Sequence, residues 1–118
     1  MTDAIINCFA GCRLGDISSA IQKTAEKNGF SVVRDFVGHG IGRNLHEDPQ
    51  IPNYGKAGTG PRLPENCCLA VEVMLNAGDW QIKILSDKWT AVTSDSKLSA
   101  HFEHTVLVKK DGCEILTK

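Results

Sequence analysis

No stretch of the 118-residue chain approaches the ~20 consecutive apolar residues of a membrane-spanning helix, which excludes such a span. Nor is there an excess of either charge: 13 Lys and Arg stand against 14 Asp and Glu, a formal −1. Without a basic stripe, nothing in the chain attracts a nucleic acid or an anionic membrane surface. The five cysteines form no secreted disulfide framework, because their number is odd, Cys67 and Cys68 are adjacent, and no signal-peptide pattern is present. Cys8 and Cys12 fall within a loose zinc-ligand spacing, but no second pair is placed to close a tetrahedron. The thiols are therefore read as reduced, partly buried apolar groups in a cytoplasmic compartment. Repeats, low-complexity tracts and linkers are also absent, so residues 1–118 are read as one unit with a modest core.

What is present divides into two helices and a mostly β remainder. Ala4, Ile5, Cys8, Phe9 and Cys12 recur at helical spacing and predict the end of an amphipathic helix over 4–12. A second helix is predicted from Asp16, as N-cap, to Lys27, with Gly29 as its stop and Ile17, Ala20, Ile21 and Ala25 as its apolar stripe. Valine-rich residues 31–37 read as a strand. Residues 47–66 hold all four prolines and read as an ordered loop. Strands are predicted at 68–75, 81–85, 90–93 and 104–110, and Asp111-Gly112 is a hairpin turn before a last strand at 114–116.

Between the first strand and the loop runs Gly38-His39-Gly40-Ile41-Gly42-Arg43-Asn44-Leu45-His46-Glu47. Glycines at this density remove side-chain bulk and permit positive φ, so the histidine they frame can be approached closely. Two carboxylates stand in equally unexpected places. Glu72 lies inside Leu69-Ala70-Val71-Glu72-Val73-Met74-Leu75, whose two faces are both apolar, which predicts a strand covered on both sides and a buried carboxylate. Glu103 repeats the situation in Phe102-Glu103-His104-Thr105-Val106. A buried carboxylate without a cation or strong donors costs several kcal/mol. Imidazole with two carboxylates suits Mn, Fe, Co or Zn. Taken singly, Glu72 equally suits an ion pair with Arg34, Arg43 or Arg62, and each histidine suits a hydrogen-bonded core position.

The chain resembles the C-terminal half of a type I methionine aminopeptidase. The likeness runs from Gly11-Cys12-Arg13-Leu14-Gly15-Asp16-Ile17 through Gly29-Phe30-Ser31-Val32-Val33-Arg34-Asp35-Phe36-Val37 and the glycine run. It continues through His46-Glu47, Pro49, Ile51-Pro52-Asn53-Tyr54-Gly55, Val71-Glu72, Asn76-Ala77-Gly78, Trp89-Thr90 and Leu98-Ser99-Ala100, and closes on Phe102-Glu103-His104-Thr105-Val106. The resemblance implies an α+β fold, the second half of the pita-bread fold, with helices packed on a curved antiparallel sheet. It implies removal of the initiator methionine from nascent chains by metal-activated water, with N-terminal methionyl peptides as substrates. His39, Glu72 and Glu103 would be metal ligands, with Glu72 also the general base and Glu103 a bridge between two ions. His46 would hydrogen-bond the scissile peptide. Leu45, where the family usually has phenylalanine, and Trp89 would wall the methionine pocket.

The chain also departs from the family. The resemblance calls for two further ligands in an Asp-x10-Asp pair, and no aspartate here has a second one at that spacing. Two divalent ions bring a charge of +4, which four carboxylates balance in the complete family, whereas Glu72 and Glu103 supply −2. At most one weakly held metal is therefore expected. Cys67-Cys68 stands for the usual Gly-Met, Val73 for a proline after the glutamate, and His101 for a glutamine. These departures predict weak or no peptidase activity for the chain alone. The alternative is a non-catalytic module that binds peptides or partners on half a scaffold. A half-shell also predicts an uncovered apolar sheet face, closed by a missing N-terminal half or by a second copy in a homodimer.

Overall fold

The computed structural model describes residues 1–117. Helices α1 (Thr2–Ile6) and α2 (Leu14–Lys27) precede eight strands: β1 (Ser31–Val32), β2 (Gly38–Ile41), β3 (Glu47–Ile51), β4 (Cys68–Asn76), β5 (Ile82–Ile84), β6 (Ala91–Thr93), β7 (Ser99–Lys109) and β8 (Gly112–Ile115). The α+β class is as expected. None of the described helices is long and apolar enough to cross a membrane.

Local boundaries differ from the sequence pattern where distant backbone competes for hydrogen bonds. The helix predicted over 4–12 stops at Ile6. Beyond it Ala10 N–H donates to the Lys109 carbonyl and Gly11 N–H to that of Leu63, while the Cys12 carbonyl accepts from Leu63 N–H. Those partners lie more than fifty residues away, so tertiary pairing overrides the helical period there. α2 starts two residues before Asp16, with Arg13 as its N-cap. Asp16 instead reaches back from the first turn to accept the Arg13 N–H at 2.9 Å, and its other oxygen accepts Gly58 N–H at 2.7 Å. These donors, Gly58 first, hold its carboxyl below the usual carboxylate range. Gly29, with φ of +80°, ends α2 as expected.

The predicted strand 31–37 breaks after Val32, and the glycine run itself becomes strand β2. Strand β3 lies inside the predicted 47–66 loop. It tolerates Pro49 because it is the outer member of the sheet, whose order is β3-β2-β4-β7-β8, with β1 also paired to β4. β5 and β6 form a separate hairpin.

β4 and β7 form the spine, antiparallel from Cys68↔Leu107 to Asn76↔Ser99. Strand alternation sends Leu69, Val71 and Val73, with Val106 and Val108, to the face where Ile17, Ile21 and Ala25 of α2 and the buried Cys8 and Cys12 complete the core. The same alternation puts Ala70, Glu72 and Met74 on the opposite face, with His101, Glu103 and Thr105 beside them. Among the described residues no helix covers that face. Two expectations are therefore corrected: β4 is packed by helices on one side only, and the uncovered side is polar at its centre.

Burial pushes the thiols of Cys8, Cys12, Cys67 and Cys113 above the ordinary value of 9.0, most strongly at Cys8, where neighbouring thiols add to the effect. Above that pH the unfolded chain releases protons that the folded chain keeps, so folding stability declines as pH rises. Urea unfolding midpoints should be insensitive to these thiols below pH 9 and fall progressively between pH 9 and 10.5, and serine at Cys8 should reduce that slope.

Candidate metal centre

Three neighbouring strands bring His39, Glu72, His101 and Glu103 to the open face. β2 sets His39 opposite Ala70, and β4 sets Glu72 opposite Glu103 of β7. His39 sits between two glycines for a steric reason. A side chain at Gly38 would collide with the Ala70 carbonyl oxygen, and one at Gly40 with the backbone carbonyl of Asp48. The glycines thus allow β2 to press against β4 and β3, and neither adopts the positive φ that their density suggested. A register shift in the β2–β3 ladder falls between His39 and Gly40, where a bulge re-aims side chains.

The imidazole of His39 is oriented by its own strand. Its Nδ1 lies 2.9 Å from the Gly40 carbonyl oxygen. A carbonyl only accepts, so Nδ1 carries the proton, and in the neutral ring Nε2 presents a lone pair. That Nε2 faces Glu72 Oε1 at 3.4 Å. Two electron-rich atoms aimed at each other are relieved by a cation between them, the donor arrangement of a metal-ligating histidine whose other nitrogen is held by a carbonyl. On the far side of the carboxylate, His101 Nε2 lies 3.5 Å from Glu72 Oε2. Ligand atoms of Glu72, His101 and Glu103 all fall within 4.8 Å of one another. The residues present therefore fit a divalent ion. No arginine pairs with Glu72 among the described residues; Arg34 instead stacks over Trp80 and Tyr54 at 4.6 and 5.0 Å from their ring centres.

Glu72 is partly covered, its side chain 17 % exposed. Glu103 is exposed, contrary to the expectation of burial, because the face it occupies is uncovered. The His46 ring lies 4.1 Å, centre to centre, from that of His39. Both histidines and Glu72 border a cleft of about 540 Å³ whose apolar wall includes Phe36, Met74 and Ala91. Leu45 and Trp89, 67 % and 88 % exposed, do not line it. Trp89 stands in the β5–β6 turn, where the Asp87 carboxylate accepts its N–H and that of Thr90. Sequence reasoning missed His101 as a member of the cluster. The available signal was its two-residue spacing from Glu103, which puts both on one face of a strand.

The sequence model of metallopeptidase family M24 matches residues 1–110. The chain is 59 % identical over 113 residues to the methionine aminopeptidase of Clostridium perfringens, covering 96 % of this chain and 45 % of that protein. It is 58 % identical over 107 residues to methionine aminopeptidase A of Synechocystis, covering 91 % and 42 %. The crystal structure of methionine aminopeptidase from Thermotoga maritima superposes with a TM-score of 0.96 at 56 % identity, covering 99 % of this chain and 47 % of that one. The chain thus spans less than half the length of the relatives it matches.

A methyl group at Gly40 would meet the Asp48 carbonyl. Gly40→Ala should cost about 1–3 kcal/mol of stability by urea unfolding, as overpacking does. It should also shift the His39 and His46 imidazole resonances, since β3 must move away to admit the methyl group.

Proposed function

The chain belongs to metallopeptidase family M24 and carries part of its pita-bread fold, and from that premise we propose that residues 1–118 form the C-terminal half of a methionine aminopeptidase catalytic domain. Its substrates are N-terminal methionyl peptides and nascent chains. The single observation that carries the reading is the placement of His39, Glu72 and Glu103 on one sheet face, with the His39 lone pair directed at Glu72.

In this reading His39, Glu72 and Glu103 hold a divalent cobalt, manganese, iron or zinc ion. When bound, such an ion supplies Lewis-acid polarisation of the scissile carbonyl and acidifies water. Glu72 takes the proton of the attacking water, a role its partly covered position between strands suits. His46, exposed at the cleft with its ring tilted against that of His39, donates a hydrogen bond to the scissile peptide. The methionine side chain lies along the apolar wall of Phe36, Met74 and Ala91; the resemblance adds Leu45 and Trp89 as pocket walls, although both stand exposed and off this cleft. Two carboxylates neutralise one divalent ion, so the chain alone binds at most one and turns over weakly. Its five free thiols suit a reducing, cytoplasmic setting. For residues 1–118 taken by themselves a second reading is a peptide-binding module without catalysis, since no Asp-x10-Asp pair lies within them.

Hydrolysis of a methionyl chromogenic substrate separates the two. With cobalt or manganese the chain alone should show little turnover, and supplying the upstream half of a close relative in trans should restore it. Glu72→Gln should then lower the restored rate by about 10²–10⁴. Peptide binding without turnover in every arm would favour the module instead.

A further inference from the structure

We propose that His101 is itself a metal ligand, joining Glu72 and Glu103 in a site for one divalent transition-metal ion that takes no carboxylate from outside this chain. The inference rests on reading the open face as a metal centre, and adds a ligand that the family resemblance does not supply, since glutamine is expected at that position.

Three observations lead to it. The first is placement. His101 and Glu103 alternate on one face of β7, and the ladder sets them opposite Met74 and Glu72. The second is distance. Ligands bound at about 2.1 Å to a tetrahedral ion stand about 3.4 Å from one another. His101 Nε2 lies 3.5 Å from Glu72 Oε2, and His39 Nε2 lies 3.4 Å from Oε1 of the same carboxylate. Both separations are long for a hydrogen bond and right for two donors sharing an ion. Among the described residues the group of three whose ligand atoms lie within 4.8 Å of one another is Glu72, His101 and Glu103, and His39 stands outside it, at the other oxygen of Glu72.

The third observation is charge. Glu72 and Glu103 face each other across the ladder, a like-charge contact that is unfavourable on its own. One divalent ion cancels their two charges, and neutral imidazoles add donors without adding charge. One imidazole nitrogen and two carboxylates make a set suited to cobalt, manganese, iron or zinc. His101 and Glu103 are exposed, so water completes the coordination of an ion held there.

The test is metal binding, read without turnover. Calorimetric titration of the 118-residue chain with cobalt(II) should give one ion per chain, and the NMR spectrum of the cobalt form should show strongly shifted imidazole N–H signals. His101→Gln should weaken binding by about 10–100-fold and remove one shifted signal. His104→Gln, on the opposite face of β7, should change neither. Unchanged cobalt affinity and spectrum in the His101→Gln protein, with binding lost in His39→Ala, would overturn the role of His101 and leave the family site standing. No cobalt uptake by the unaltered chain would overturn both.

Discussion

Two carboxylates held opposite each other on adjacent strands are the constraint on which the rest of the site depends. Glu72 and Glu103 are direct cross-strand partners, and side chains so placed have Cβ atoms about 4.5–5.5 Å apart. Like charges at that range repel, and neither residue can turn away, because the ladder fixes which face each side chain takes. The ladder persists because its other face is a hydrophobic core. Leu69, Val71 and Val106 are fully buried there against α2. Burial at roughly 25 cal/mol per Å² on one face thus stabilises an unfavourable electrostatic arrangement on the other. The two-residue period of a strand is what lets one segment do both.

The same alternation explains why the glycine run is strand and not loop. His39 must stand beside Glu72 for its Nε2 to reach the carboxylate, which requires β2 to lie close against β4. Bulk at Gly38 or Gly40 would hold it off. Glycine in a strand interior weakens the strand, and here β2 is supported on both sides, by β3 and β4. Short range does the rest: the Gly40 carbonyl, next in sequence, sets the tautomer of His39.

How much of this was legible in the sequence follows from the range of the interaction responsible. Ile17, Ile21 and Ala25 of the α2 stripe, its glycine stop, the strand at 68–75 and the Asp111-Gly112 turn are local patterns that stand where the sequence places them, while Ala20 of the predicted stripe lies only partly covered. The helix over 4–12 was misjudged because Ala10 and Gly11 donate to carbonyls far along the chain, a competition no local window contains. β3 was hidden by Pro49, whose tolerance depends on an edge position that only the sheet order reveals. The burial of Glu103 was misjudged for a related reason: apolar neighbours in a strand report that one face is covered and do not say which. Of the site, the spacing of Glu103 was readable, while the approach of His101 to Glu72 arises from the β4–β7 register.

The open face also bears on why a partial shell keeps a coherent centre. A site whose ligands came from scattered loops would lose its geometry with any large part of its surroundings. Here the donors rise from three hydrogen-bonded strands of one sheet, and the core that fixes those strands lies beneath them and inside the same chain. Geometry and charge are therefore separable. The geometry of His39, Glu72, His101 and Glu103 is set by residues 1–117, whereas the positive charge the face can accommodate depends on how many negative groups reach it. Two carboxylates balance the charge of a single divalent ion, and on the proposed reading a second ion would call for further anions on the uncovered side, where Glu103 is exposed.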